Sequence, residues 1–90
     1  MRLELTARAD GDLRRIHRFN EDRSEAWAAK VETRLLNRMA ALAHMPNLGR
    51  PFGRSGVFRM SVPDIQYVID YRRGDDFVRI LRVQHSREIR

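Results

Sequence analysis

Cysteine is absent from this 90-residue chain. That absence removes disulfide staples, thiolate metal centres and thiol nucleophiles together, and it suits a reducing cytoplasm. Lysine is nearly absent as well: of 18 basic residues only Lys30 is a lysine, and the rest are arginines. No apolar run approaches the ~20 residues needed to cross a bilayer. The opening Met1-Arg2-Leu3-Glu4-Leu5 carries neither an apolar signal region nor a small-residue cleavage site. Proline and glycine are scarce, three and five residues, and they mark the breaks between elements.

What remains is a globular composition, 42% apolar and 33% charged, of a length expected to form one domain over residues 1–90. The net charge is +6. Residues 1–45 hold nine basic and seven acidic groups, and residues 46–90 hold nine and five, so the second half carries most of the excess. Arginine forks two hydrogen bonds from one plane, which suits phosphate or carboxylate partners.

The hydrophobic period divides the chain. Leu3 and Leu5 alternate with Arg2 and Glu4, predicting a short strand with one buried face. Thr6 can cap a helix, along which Ala9, Leu13, Ile16 and then Phe19 or Asn20 form an apolar stripe. Gly11 lies inside it at a cost of up to about 1 kcal/mol. Asn20–Ser24 is a break with two rival caps, Asp22 and Ser24. A second helix runs to about Met45, with Trp27, Val31, Leu35, Met39 and Leu42 on one stripe and Ala28, Leu36 and Ala43 beside it. Pro46 ends it. Pro46–Gly56 reads as a loop. Beyond it the period becomes two, predicting strands over 57–62, 65–72 and 77–84, joined by turns at Pro63-Asp64 and Arg73–Asp76. The last strand has apolar residues on both faces, which places it inside the sheet. The order is β-α-α-β-β-β, an α+β fold of two layers with a helix hairpin on a mainly antiparallel sheet.

Four stretches carry a resemblance. Leu5–Ile16 has a strand leading into a helix with Ala7, Asp12-Leu13 and Ile16. Met45–Pro51 is a loop of proline, leucine, glycine and arginine. Tyr67–Arg72 reads Tyr-Val-Ile-Asp-Tyr-Arg. Ile80–Glu88 begins Ile-Leu-Arg-Val-Gln-His. In this order they resemble the RelE/ParE superfamily of bacterial toxins from type II toxin–antitoxin pairs. The resemblance implies two activities on one scaffold. RelE-like members are ribosome-dependent ribonucleases that cut mRNA, and ParE-like members poison DNA gyrase by binding it. The loop and the ending are more similar to the ParE side. The expected partners are then an acidic antitoxin and gyrase or, on the other branch, the ribosome and mRNA. A non-toxic, basic nucleic-acid-binding module is a third reading.

Ribonuclease chemistry needs a base, an acid and cations around the phosphorane. Arg59, Arg82, His85 and Arg87 are the candidates. Against it, no tyrosine follows Tyr71, and Gln66 stands on the predicted third strand where the nuclease branch has an arginine. The favoured reading of His85 is that it closes the last strand, its ring bonded to a backbone carbonyl. Tyr67 and Tyr71 read as cross-strand packing. For a binding toxin, the resemblance implicates the long helix from Trp27 to Leu42, with Val31 and Leu35, and the segment His85–Arg90, including Arg87. Arg50 and Arg54 in the loop are exposed by type and suit an acidic partner. No cofactor is implied. His17, His44 and His85 lack metal-ligand spacing, and Asp75-Asp76 reads as a solvated turn.

Overall fold

The computed structural model describes residues 1–89. Strand β1 (Arg2–Leu5) leads into α1 (Ala7–Glu21) and α2 (Glu25–His44). A two-residue strand β2 (Arg50–Pro51) follows, then β3 (Val57–Val62), β4 (Tyr67–Arg73) and β5 (Phe77–His85). A 3₁₀ turn, Ser86–Ile89, succeeds β5. Arg90, part of the expected C-terminal binding segment, lies outside the described residues. No helix among those described is long and apolar enough to cross a membrane.

The sheet order is β1-β5-β4-β3-β2. β1 runs parallel to β5, and every other pairing is antiparallel. The α+β class and layer order expected from the sequence are what the chain adopts. β2 is an addition: Arg50 and Pro51 sit opposite Arg59 and Phe58 as a short edge inside the expected loop. A second difference lies at the β3–β4 turn. Ile65 and Gln66 belong to the turn, and β4 starts only at Tyr67. Gln66 therefore has no strand-face position to compare with an arginine.

The helices begin where hydroxyls satisfy their first free amides. Thr6 Oγ1 accepts from Ala9 N at 3.1 Å, and Ser24 Oγ accepts from Trp27 N at 3.2 Å. Of the two rival caps, Ser24 starts α2, while Asp22 closes α1 with its N–H on the Arg18 carbonyl. Ala28, Val31, Leu35, Met39 and Leu42 of α2 are buried, as are Ala9, Ile16 and Asn20 of α1. Asn20 thus takes the inward position, and Phe19 is 56% exposed. The helix stripes meet Met60, Val62, Tyr67, Ile69, Tyr71, Val78, Ile80 and Val83 of the sheet in one apolar cluster.

The expected interior place of the last strand is what the sheet shows, with β5 between β1 and β4, while the buried face expected of β1 is corrected. Leu3 and Leu5 are left 37% and 39% exposed, because β1 is an edge strand that the helices cover only in part. The two-sided apolarity of β5 has a local cause. Ile80 pairs with Tyr71 and Arg82 with Asp70, so Leu81 is an extra residue, a β-bulge. The core face consequently passes from Val78 and Ile80 to Val83 and His85.

Candidate functional site

The sheet separates two surfaces. On the face opposite the helices, Arg59 of β3 is matched with Asp70 of β4. Its Nε and Nη2 donate to the two Asp70 carboxylate oxygens at 2.6 and 2.9 Å, and its guanidinium lies 3.5 Å over the Phe52 ring. Arg82 is held by Asp12 of α1: its Nε donates at 2.9 Å, and the same carboxylate oxygen accepts the Val83 N–H at 2.9 Å. Arg15 adds a third donor to Asp12 at 2.9 Å. Burial pushes the Asp12 carboxyl up, but the hydrogen bonds from Arg82, Val83 N–H and Arg15 outweigh it and hold the acid below its ordinary value. Asp12 completes the β5 edge where β1 has ended. Thr6 Oγ1 donates to the Leu81 carbonyl beside it. A depression of about 520 Å³ on this face is lined by Phe52, Arg54, Arg72, Leu81 and Arg82.

The second surface is a groove where the α1–α2 turn overhangs the ends of β4 and β5. Tyr67 and His85 are strand partners, with ring centroids 5.1 Å apart and edge-to-face. The Asn20 amide bonds the Tyr67 hydroxyl at 3.1 Å and the Ile16 carbonyl at 2.8 Å, tying the end of α1 to this floor. His85 Nδ1 accepts the Arg87 backbone N–H at 3.2 Å. The expected backbone contact of His85 thus exists, but to an amide and not a carbonyl, which leaves Nε2 as the ring's donor, with no partner among the described residues. The rim is stitched at Gln66, whose φ of 62° is in the left-handed region. Its carbonyl accepts both Ser86 N, at 2.8 Å, and Ser86 Oγ, at 3.1 Å.

The four ribonuclease candidates do not come together. Asp70 and Tyr67 point to opposite sides of β4 by alternation, and so do the residues opposite them. Arg59 and Arg82 lie on the face away from the helices, bound to carboxylates, whereas His85 and Arg87 lie in the groove.

The binding candidates also separate. Val31 and Leu35 are fully buried, because the α2 stripe that carries them is the core contact, so neither is presented to a partner. Trp27 is half-buried on the groove wall, with Lys30 Nζ 5.4 Å above its ring. Arg50 is exposed on the edge strand β2 and Arg54 in the following loop. Among the histidines, His44 is exposed, while His17 is half-buried near Glu21 and Glu32 at 3.2 and 4.0 Å.

Asp12, Asn20 and Phe19 are what sequence reading missed. Asp12 follows the apolar Ala9 by three residues, which is the one signal for its inward position. Tyr71, read as packing, has a further task. Its hydroxyl donates to the Pro46 carbonyl at 2.7 Å and accepts the Gly49 N–H at 2.9 Å. A Cβ on Gly49 would lie 2.5 Å from that hydroxyl, which explains the glycine in the loop motif.

Two helices packed on a mixed, mostly antiparallel five-stranded sheet is a fold shared with RelE and ParE toxins. The isolated RelE toxin of E. coli superposes with a TM-score of 0.72 at 15% identity, over 94% of this chain and 83% of that one. A chain of the chromosomal ParDE system of P. aeruginosa superposes at 0.83 with 22% identity, over 94% and 95%. In sequence, the protein named "Putative toxin Y4kP" of Sinorhizobium fredii (strain NBRC 101917 / NGR234) is 34% identical over 87 residues, 97% of this chain and 90% of that protein. The model of the family described as ParE toxin of type II toxin-antitoxin system, parDE, matches residues 3–90. The chain belongs to this ParE toxin family.

Proposed function

We propose that this toxin stops growth by binding DNA gyrase in the cytoplasm, without hydrolytic chemistry, and that an acidic antitoxin holds it inactive. The observation that carries the proposal is the division of the candidate nuclease groups by the sheet. Arg59 and Arg82 are committed to Asp70 and Asp12 on one face, and His85 and Arg87 stand on the other. A general acid–base pair needs its cations within reach of one phosphate, and this set has no such point. The match to the ParE family along nearly the whole chain supports gyrase as target. The net charge of +6 supports an acidic partner.

Induction in growing cells tests the proposal. Growth should stop, resident plasmid should lose negative supercoils, and mRNA 5′ ends should stay where they were. Co-expression of the adjacent reading frame should restore growth. New, codon-positioned mRNA ends that vanish in His85→Ala would overturn the proposal in favour of a ribosome-dependent ribonuclease. Unimpaired growth would leave a basic nucleic-acid-binding module.

A further inference from the structure

The two edges of the sheet are finished differently. At one end β2 is two residues long and one of them is Pro51, so it offers almost no ladder to a further strand. At the other end β1 has no such guard. Its inner side is bonded to β5: the Arg2 N–H donates to the Asp76 carbonyl at 2.8 Å, and the Thr6 N–H to the Ile80 carbonyl at 3.1 Å. Alternate residues of a strand turn their N–H and C=O toward the same neighbour. Those of Leu3 and Leu5 therefore point to the open edge, where no further strand lies among the described residues. The side chains follow the pleat. Leu3 and Leu5, in register with Val78 and Ile80 of the core, lie on the helix face and stay partly exposed, and Arg2 and Glu4 lie on the opposite face. Like charges along an edge repel a second strand, but Arg2 and Glu4 have opposite signs.

We propose that β1 pairs with β1 of a second copy of this chain, antiparallel about a two-fold axis at Leu3, so that two sheets join into one. Charge selects this register. With Leu3 opposite the partner's Leu3, the two residues exchange both of their N–H···O=C bonds, and Arg2 stands opposite the partner's Glu4 on each side of the axis. Those flanking pairs are at non-hydrogen-bonded positions, where facing side chains come closest. Centring the ladder on Arg2 or on Glu4 would set like charges opposite each other, which destabilises. A slip by one residue would turn Leu3 to the charged face. The exchange of partners needs little rearrangement. Glu4 Oε1 stays with Arg79 at 3.0 Å, and Oε2, held by Arg2 of its own chain at 3.0 Å, takes the partner's Arg2 instead. The Arg2 side chain is largely exposed, and its other contact, to the exposed Asp76 at 3.3 Å, lies on the surface. Two four-residue strands make a contact well below the ~1,200–2,000 Å² of a stable interface, so the dimer is weak and forms as concentration rises. It closes at two copies, because the two-fold axis uses up the one open edge and β2 is blunt. The proposal depends on neither the gyrase nor the antitoxin reading.

Sedimentation equilibrium and amide exchange of the purified full chain test this together. The average mass should rise with concentration toward that of two chains. Over the same range the Leu3 and Leu5 amides, open to water in the monomer, should come to exchange at least threefold more slowly, while amides of the exposed loop around Arg54 keep their rates. Arg2→Glu sets two acids opposite each other on both sides of the axis and should raise the dimer dissociation constant at least tenfold. Glu4→Arg should do the same by setting two bases opposite each other. Mixing the two variants should restore a dimer, because each cross-pair then joins an acid and a base. Circular dichroism confirms that each variant is folded, and should either fail to fold, the wild-type exchange rates decide alone. A monomeric mass at every concentration would overturn the proposal. So would a dimer whose Leu3 and Leu5 amides exchange as fast as in the monomer, or one that both folded variants leave intact. Slowing of these amides only when the product of the adjacent reading frame is added would assign the edge to the antitoxin instead of a second copy.

Discussion

Asp12 concentrates more of the fold on one side chain than any other polar residue described. It is 2% exposed and accepts from Arg15, Arg82 and the Val83 backbone at once. Removing it leaves a buried amide without an acceptor and two arginines without their counter-ion. Asp12→Ala should cost about 2–3 kcal/mol, measured by urea unfolding at pH 7. The acid also sets a pH dependence. Its folded pKa is lowered, so its stabilisation is present above the ordinary value of 3.8 and is lost as pH falls through the folded value. Wild type should lose stability progressively as pH falls below about 5, and Asp12→Asn should show a flatter profile. Tyr71 is the second such residue. Tyr71→Phe removes both bonds to the 46–49 backbone and should cost ~1–3 kcal/mol, with faster amide exchange at Gly49 as the local sign. Gly49→Ala should be worse than Tyr71→Phe, because its Cβ would meet a ring that is fully buried.

At the scale of elements, Gly11 is the clearest opportunity. It is exposed in the middle of α1, and a Cβ there meets nothing within 4 Å. Gly11→Ala should therefore stabilise the protein by ~0.5–1 kcal/mol, seen as a rise in Tm of a few degrees. The helices were legible because their stripes recur every three or four residues, and β3 was legible because it alternates cleanly. Two other elements were less so. The β5 bulge at Leu81 moves the core face by one residue, which in sequence looks like an apolar strand on both sides. β2 is two residues long and depends on pairing with β3, so no local period reveals it. The surface-facing Phe19 was ambiguous with Asn20 because both follow Ile16 at helical spacing; the Tyr67 hydroxyl, 47 residues away, decides in favour of the amide.

Across the whole molecule, the four stretches that resemble the family join in pairs. Asp12 of the first meets Arg82 and Val83 of the last, and Tyr71 of the third meets Pro46 and Gly49 of the second. These motifs staple the fold, which is why they identified the family and left the target open. Arg23, Arg50, Arg54 and Arg87 are surface groups that form no ion pair among the described residues, so no contact inside the chain reports what they meet. Much of the remaining positive charge is already matched inside the chain, as in Arg2 and Arg79 with Glu4 or Arg34 with Asp64.

The most direct measurement is supercoiling of relaxed plasmid by purified gyrase as the purified toxin is titrated in. Supercoiling should fall in a dose-dependent way and recover when the neighbouring antitoxin is added first. Full supercoiling at a saturating excess of folded toxin would contradict a gyrase-binding inhibitor.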